Sequence, residues 1–170
     1  MQTITNHIAP AVEPYLAHQG EARWYGDSLF EFLIPSEATG GKLSVFRATL
    51  TEGFSPPRHI HTREDEAFLV IDGDVSFDLD GRRLLAGPGT SVFMPRGIPH
   101  TFRIESPVAH LLGIITPGAI EQLFRNLSVP ATERALPMPG TNPLDIAAVM
   151  AEQSGLGTQV VGPPMGREEA

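Results

Sequence analysis

Glycine and proline interrupt this chain at short intervals. Its 170 residues include 17 glycines and 16 prolines, and both residue types break helices and form turns. Such spacing favours many short strands joined by turns over long helices. A chain of this length also has room for one domain with a substantial core. We therefore expect a single domain over residues 1–170.

Alternation of apolar and polar residues predicts the strands. Residues 75–79 alternate in this way, which is typical of a strand with one buried face and one solvated face. Asp72 with Gly73, and Asp80 with Gly81, are two-residue hairpin signals, because a primed turn needs positive φ at both central positions. Eight or so short antiparallel strands predict a double-sheet jelly roll or a small barrel. The other predicted strands cover residues 24–34, 43–50, 67–71, 84–85, 91–94, 101–104 and 108–115.

The last third of the chain, from about residue 117 to residue 170, predicts a helical extension. Apolar residues recur at helical spacing between positions 118 and 127. Asn142 as N-cap and Pro143 at the first helical position predict a second helix that ends at Gly155, and a short strand is expected at 158–161. We expect these elements to pack on a barrel core that covers about residues 22–116.

Charge and cysteine content exclude several classes of partner and site. Twelve basic and twenty acidic residues give a net charge of −8, which argues against nucleic acid or an anionic membrane surface as partner. Because the chain has no cysteine, it can form neither a disulfide nor a thiolate metal site. No apolar run approaches the ~18 residues of a membrane helix, and the first residues lack the pattern of a signal peptide. We therefore expect a cytoplasmic protein.

Three histidines and one glutamate are spaced so that they can meet at one point. His59 and His61 are two residues apart and so project from the same face of an extended strand. Glu66 begins the strand that follows a tight turn, and His100 follows the turn at 95–97. Imidazole and carboxylate groups are good ligands for a divalent transition metal. The sequence therefore predicts a metal site at these four residues.

Glu64 and Asp65 are the alternatives to Glu66 as the carboxylate ligand. We favour Glu66 because the strand begins there and the same face continues as Phe68 and Val70. Glu64 and Asp65 are expected to stay in the turn and face solvent.

The spacing of these residues resembles the two sequence motifs of the cupin superfamily. In one departure, Ile104 stands where the second motif usually has Asn, which is not a metal ligand in that pattern. The likeness covers about residues 40–116. It implies an all-β fold, the cupin double-stranded β-helix or jelly-roll barrel, with one or two added C-terminal helices. The fixed positions are filled by Gly53, His59, His61, Glu66 and Gly73 in the first motif and by Gly89, Pro95, Gly97 and His100 in the second.

A closer likeness links the chain to small bacterial one-domain cupins labelled quercetin dioxygenase-like. It is carried by PPRHIHTREDEAFLVIDGDVSF at 56–77, FMPRGIPHTFRI at 93–104 and TPGAIEQLFRNLS at 116–128. This resemblance implies an enzyme that opens a flavonol or other aromatic enol ring with O2, and a homodimer. The implied cofactor is one divalent metal ion (Mn, Fe, Co, Ni, Cu or Zn), and the implied catalytic residue is Glu66, which would take the hydroxyl proton of the substrate. The implied metal ligands are His59, His61, Glu66 and His100.

The substrate pocket beside the metal is expected to be apolar and lined by Phe68, Val70, Phe93 and Phe102, as small-molecule pockets usually are. For each of these residues, a place in an ordinary barrel core is an equally good interpretation. Trp24 and Tyr25 are expected either to cap the barrel mouth or to pack in a dimer contact.

Two other functions are compatible with the same residues, because a cupin fold alone does not fix the reaction. One is another metal-dependent cupin enzyme, such as an isomerase or a decarboxylating oxidase. The other is a non-catalytic cupin that binds a metal or a small ligand as a sensor or store.

Overall fold

The computed structural model of the protein describes Val12 and residues 14–167. Within these residues the chain forms twelve strands, two α-helices and two short 3₁₀ helices, the latter at Ser36–Thr39 and Gly118–Ile120. The helices are α1 (Glu121–Asn126) and α2 (Ile146–Leu156). The strands are β1 (Glu21–Tyr25), β2 (Ser28–Ile34), β3 (Ser44–Thr51), β4 (Pro57–His61), β5 (Asp65–Asp72), β6 (Val75–Leu79), β7 (Arg82–Ala86), β8 (Ser91–Met94), β9 (His100–Ile104), β10 (Val108–Thr116), β11 (Val129–Pro130) and β12 (Thr158–Pro164).

The strands form two antiparallel sheets. The larger sheet has the order β11-β1-β2-β3-β10-β5-β8, and the smaller sheet has the order β12-β4-β9-β6-β7. Inward-facing side chains of both sheets meet in one core, where the ring centroid of Phe68 on β5 lies 5.4 Å from that of Phe102 on β9. This is the predicted all-β cupin jelly roll with two short C-terminal helices.

Two of the predictions, one for a strand and one for a turn, differ from the structure. The stretch at 24–34 is not one strand, because a tight turn at Gly26, with φ of 58°, divides it into the paired strands β1 and β2. Asp72 and Gly73 do not join a hairpin, since β5 belongs to the larger sheet and β6 to the smaller one. The chain changes sheets here, and a Cβ on Gly73 would lie 2.6 Å from the carbonyl oxygen of Val108.

The hairpin predicted at Asp80 and Gly81 is confirmed. Both residues have positive φ, 53° and 82°, and they join the paired strands β6 and β7.

The C-terminal segment packs against the barrel with both predicted helices, but α2 begins later than expected. Its N-cap is Asp145, whose side chain accepts hydrogen bonds from the N–H groups of Ala147 and Ala148. Asp145 has the extended backbone of an N-cap residue, whereas Asn142 and Pro143 lie before the helix. Gly157, in the left-handed conformation, caps the end of the helix in place of Gly155. The strand expected at 158–161 is present as the start of β12. No helix of the described residues is both long and apolar enough to span a membrane.

Candidate metal centre

Three strands of the barrel bring the predicted ligand residues together. His59 and His61 lie on β4, and His100 lies directly opposite His59 on the neighbouring β9. Glu66 comes from β5 in the other sheet, so the cluster bridges the two layers. All four side chains are at least nine-tenths buried. Their ligand atoms lie within 4.8 Å of one another.

The donor atoms of this cluster suit a metal ion. Nε2 of His59 lies 3.2 Å from Nε2 of His61, and Oε2 of Glu66 lies 3.7 Å from Nε2 of His61 and 3.5 Å from Nε2 of His100. The Nε2 atom of His100 is buried and has no hydrogen-bond partner among the described residues. An orphaned buried nitrogen is costly, and a metal ion in the middle of the cluster would satisfy it. Nitrogen and carboxylate donors in this number fit a divalent transition metal.

Hydrogen bonds on the outer side of the rings orient them toward this centre. Nδ1 of His59 lies 2.7 Å from the carbonyl oxygen of Pro57, and Nδ1 of His100 lies 2.8 Å from that of Ile98. Because a carbonyl oxygen only accepts, the proton of each neutral ring sits on Nδ1 and the lone pair sits on Nε2. Nδ1 of His61 lies 3.1 Å from the hydroxyl of Thr158 on β12. Such outer partners fix metal-binding imidazoles in many proteins.

The protonation of the cluster favours cation binding. Burial, together with the charges of His61 and His100, lowers the pKa of His59 to about 4, so this ring is neutral at pH 7. Burial by itself raises the pKa of Glu66, but the electrostatic effect of the adjacent His100 and His61 rings outweighs it and holds the pKa far below its usual value. The site therefore offers one carboxylate and at least one free imidazole lone pair.

The turn at residues 95–97, which precedes His100, is held in place by hydrogen bonds to two other segments. Gly97, with φ of 81°, donates its N–H to the carbonyl oxygen of His61 at 2.8 Å. Arg96 holds both carboxylate oxygens of Asp65, from Nε at 3.0 Å and from a terminal guanidinium nitrogen at 2.7 Å. This hydrogen bonding lowers the pKa of Asp65 to about 2. The turn that precedes β9 is thus tied to both strands that carry the other ligands.

The expectation for Glu64 is wrong. Its side chain is not in solvent, since the residue is only 1% exposed, and neither carboxylate oxygen has a hydrogen-bond partner among the described residues. Burial raises the pKa of Glu64 above its usual value. Glu64 lies in the short connection between β4 and β5, and its side chain is buried there. Apolar periodicity predicts burial only within helices and strands, so it could not predict burial in this connection.

The ligand cluster borders an apolar cavity of about 70 Å³. His59, His61 and Glu66 are among the residues that line it, and eleven more of its lining residues are apolar. Two of these are the predicted pocket residues Phe68 and Phe102. The aromatic residues that line the cavity are Tyr25, Phe30, Phe46, Phe54, Phe68, Phe102 and Phe124.

The other two predicted pocket residues do not line this cavity. Val70 faces inward but is packed in the core with no exposed surface. Phe93 is 62% exposed, because on β8 the side chains of Val92 and Met94 point inward and Phe93 points to the opposite face. The prediction for Phe93 is corrected accordingly.

Several residues at the cavity were missed or left open by the sequence. Tyr25 lines the cavity, and burial raises its pKa to about 12, whereas Trp24 donates from Nε1 to the carbonyl oxygen of Ala135. Gln153 on α2 also lines the cavity, is 5% exposed, and has a buried Oε1 without a partner among the described residues. A glutamine on a helix is usually exposed, and no sequence pattern indicates that Gln153 is buried.

The two described histidines outside the cluster do not join it. His110 lies 3.1 Å through Nδ1 from the hydroxyl of Thr49 on the neighbouring strand, and His18 is exposed. His7, which we expect to be solvent-exposed, lies outside the described residues.

Comparisons with known proteins agree with this architecture. A family profile described as "Cupin domain" matches residues 46–113. The chain is 29% identical over 133 residues to quercetin 2,3-dioxygenase of Bacillus subtilis and 29% identical over 139 residues to that of Aspergillus japonicus. These matches cover 76% and 75% of this chain but only 40% and 38% of the two relatives.

A solved structure supports the fold. An RmlC-like cupin from Shewanella frigidimarina superposes with a TM-score of 0.55 at 18% identity, over 65% of this chain and 96% of that one. The chain thus contains a cupin domain over residues 46–113 and is similar to quercetin 2,3-dioxygenases.

Proposed function

We propose that this protein is a metal-dependent dioxygenase that opens an aromatic enol, such as a flavonol, with O2. His59, His61, Glu66 and His100 would hold the metal ion. The observation that carries the proposal is the position of the buried donor cluster, which forms one part of a cavity whose other walls are mostly hydrocarbon. The likeness to two quercetin 2,3-dioxygenases supports the same reaction class.

We assign Glu66 as the group that accepts the hydroxyl proton of the substrate. Its lowered pKa keeps it ionised at neutral pH, and the cavity gives a substrate access to its carboxylate. A carboxylate of such low pKa is a weak base, so the enol that it deprotonates must itself be acidified. A divalent metal ion bound at the four residues would act as the Lewis acid that stabilises the enolate and supports its reaction with O2.

The cavity walls suit an aromatic substrate and protect a reactive anion. Phe68 and Phe102 meet edge to face with centroids 5.4 Å apart, and Phe54 lies 6.0 Å from Phe102. Rings of this kind bind planar apolar ligands. They also keep water away from the carboxylate, which strengthens electrostatic interactions inside the cavity.

Two enols of different size test the proposal. The metal-loaded protein would be mixed with quercetin or with 3-hydroxy-2-methyl-4-pyranone, which keeps only the hydroxyl and carbonyl ring of a flavonol. We expect loss of the absorbance band of at least one compound together with O2 uptake, and no change without O2.

The matched control is a histidine change away from the site. His59→Ala should lose both metal uptake, measured by elemental analysis, and O2 uptake, whereas His18→Ala at an exposed position should keep both. If the metal-loaded wild type consumes neither compound faster than free metal in buffer, the dioxygenase assignment is wrong.

A further inference from the structure

Gln153 is a polar residue in a cavity wall that is otherwise mostly hydrocarbon. Among the described residues that line the cavity, it is the only polar one besides Tyr25 and the cluster residues. It is 5% exposed, and its Oε1 atom is buried without a hydrogen-bond partner among the described residues. Burying an amide oxygen without a partner costs free energy. A ligand in the cavity that carries an O–H or N–H group would satisfy this oxygen.

The packing of α2 does not require an amide at this position. Val149 and Gln153 are the buried residues of the helix, and because they are four residues apart they share the face that packs on the barrel. Methionine or leucine forms helices about as well as glutamine and would fill the second position without burying a polar atom. Local packing rules are broken mostly at functional sites. The buried amide of Gln153 therefore indicates contact with a ligand.

The part of α2 that carries Gln153 is held close to the metal centre. The neighbouring Glu152 accepts a hydrogen bond of 2.7 Å from Asn126 on α1. Thr158, directly after the end of the helix, lies opposite His61 on β4 with its hydroxyl 3.1 Å from Nδ1 of that ring. Because the cavity has a volume of only about 70 Å³, a ligand that extends into it from the cluster comes within reach of Gln153.

We propose that Gln153 is a specificity-determining residue, whose Oε1 accepts a hydrogen bond from an O–H or N–H group of the bound substrate. This group is distinct from the hydroxyl whose proton Glu66 accepts. Two polar contacts at separate points of an apolar cavity fix the orientation of a ligand, and a ligand without the second donor leaves the amide unpaired and binds less tightly. The inference rests on the proposed function, because that function places the substrate in this cavity.

Binding of two small hydroxamates in the absence of O2 tests this role. The protein would be loaded with Co²⁺, its metal content verified, and titrated with acetohydroxamate or with N-methylacetohydroxamate while the visible absorption of Co²⁺ is followed. The two compounds offer a metal the same oxygen atoms, but only the first has an N–H group to donate. Gln153→Met keeps the length and helix preference of the side chain and removes the amide, and Gln153→Leu repeats the test with a second apolar side chain. Gln122→Met is the matched control, since Gln122 is an exposed glutamine of α1 that does not line the cavity.

We expect Gln153→Met to weaken binding of acetohydroxamate about 10-fold, because the N–H group of the bound compound is left unpaired. Binding of N-methylacetohydroxamate, which has no such group, should stay within about 2-fold of the wild-type value. The metal-free variant should also melt at a higher temperature than the wild type, since it no longer buries an unpartnered oxygen. A purely structural role would lower the melting temperature instead. Gln122→Met should leave both affinities unchanged.

Three results would overturn the inference. The first is that Gln153→Met weakens binding of both compounds equally or of neither. The second is that the wild type binds acetohydroxamate no more tightly than N-methylacetohydroxamate. The third is a lower melting temperature of the metal-free variant, which would show that the amide has a partner within the protein. Because O2 is absent, the outcome does not depend on the dioxygenase reaction, which the O2 uptake of the metal-loaded protein tests separately.

Discussion

At the scale of single residues, Thr158 is the contact that sequence reasoning could least foresee. Its hydroxyl lies 3.1 Å from Nδ1 of His61, and the residue is 3% exposed. When the ring donates from Nδ1 to this hydroxyl, Nε2 is left free to face the centre. The other two rings are oriented by carbonyl groups of their own strand or turn, whereas His61 depends on a residue 97 positions away.

Thr158→Val should therefore weaken metal binding. Valine keeps the shape and strand preference of threonine but loses the hydroxyl, so the ring of His61 is no longer held in one tautomer. We expect a fall in metal affinity of roughly 10- to 100-fold, measured by competition with a chromogenic chelator. Thr158→Ser, which keeps the hydroxyl, should stay near the wild-type value. Equal affinities for the valine variant and the wild type would contradict this role.

Glu64 is the second residue whose surroundings predict a measurable effect. Its raised pKa means that the folded state binds a proton more strongly than the unfolded state, so stability falls as the pH rises above the ordinary value near 4.5. Glu64→Gln removes the charge and should raise the free energy of unfolding at pH 7 by about 1 kcal/mol. The gain should disappear near pH 4, where the wild-type side chain is protonated.

Denaturant unfolding of metal-free protein at pH 4 and pH 7 gives the measurement. Asp65→Asn is the neighbouring control with the opposite sign, because Asp65 is held ionised by Arg96. A Glu64→Gln variant that is less stable at pH 7 than at pH 4, relative to wild type, would show that the carboxylate has a stabilising partner.

At the scale of elements, α2 shows how the position of a glycine decides its effect. Gly155 lies within the helix, and a Cβ there would meet nothing within 4 Å. Gly157 ends the helix with φ of 89°, and a Cβ there would lie 2.8 Å from Oγ1 of Thr62. The left-handed conformation suits glycine and strains other residues.

The same substitution should therefore have opposite effects at the two positions. Gly155→Ala should raise the free energy of unfolding by about 0.5–1 kcal/mol, because alanine loses less backbone entropy in a helix. Gly157→Ala should lower it by at least about 1–2 kcal/mol, the cost of the left-handed conformation. Thermal or denaturant unfolding of both variants measures the pair, and effects of the same sign would contradict the assigned end of α2.

The connector between α1 and α2 is fixed to the larger sheet by Glu31. This residue on β2 is 3% exposed and accepts hydrogen bonds from Arg47 on β3 at 2.6 Å and from Arg134 in the connector at 2.7 Å. Burial raises the pKa of Glu31, but the hydrogen bonds and charges of the two arginines outweigh burial and lower it overall. The ionised form is thus favoured by folding.

Glu31→Gln should destabilise the protein in a pH-dependent way. At pH 7 we expect a loss of roughly 1–3 kcal/mol, because hydrogen bonds to a charged group are weakened. Since the folded pKa is lowered, the advantage of the wild type is complete above the ordinary pKa near 4.5 and is lost as the pH falls through the folded pKa. Unfolding curves at pH 7 and at progressively lower pH measure it, with exposed Glu37→Gln as the control. If the loss of stability in Glu31→Gln is as large in acid as at pH 7, the effect comes from packing and not from the charge of Glu31.

At the scale of the whole molecule, the sequence predicted features that depend on local patterns and failed to predict those that depend on long-range packing. The four cluster residues could be predicted from the sequence, because two of them share a strand face and the turns before Glu66 and His100 have recognisable residues. The jelly roll followed from alternation and turn signals. The crossing between sheets at Gly73 could not be predicted, because the dipeptide Asp-Gly also forms hairpins.

The walls of the cavity depend on contacts between distant segments. Tyr25 meets Phe124 with ring centroids 5.5 Å apart, and Gln153 reaches the same cavity from α2. These residues come from the start and the end of the chain, and no local periodicity records which of their neighbours they will meet. For the same reason Phe93 was misplaced, since alternation gives two faces but does not say which one is inside.

The C-terminal strand links this long-range packing to the metal centre. β12 pairs with β4 through Thr158 opposite His61 and Val160 opposite His59, whereas the pairing of β4 with β9 is limited to His59 opposite His100. Without β12, the strand that carries two ligands would become a poorly paired edge. The C-terminal extension is thus part of the support of the site.

Deletion of residues 158–170 should therefore impair the metal centre even though it removes none of the four ligand residues. We expect metal affinity to fall roughly 10-fold or more, because the orientation of both β4 histidines depends on the lost strand, and the melting temperature of the metal-free protein to fall as well. Deletion of residues 166–170, which leaves β12 and the bond from the Met165 N–H to Ser55 intact, should change neither quantity. Isothermal titration with Zn²⁺ and thermal unfolding of both truncated proteins provide the comparison. If the longer deletion binds Zn²⁺ as tightly as the full chain, β4 is held in place by the barrel alone and the extension has no part in the site.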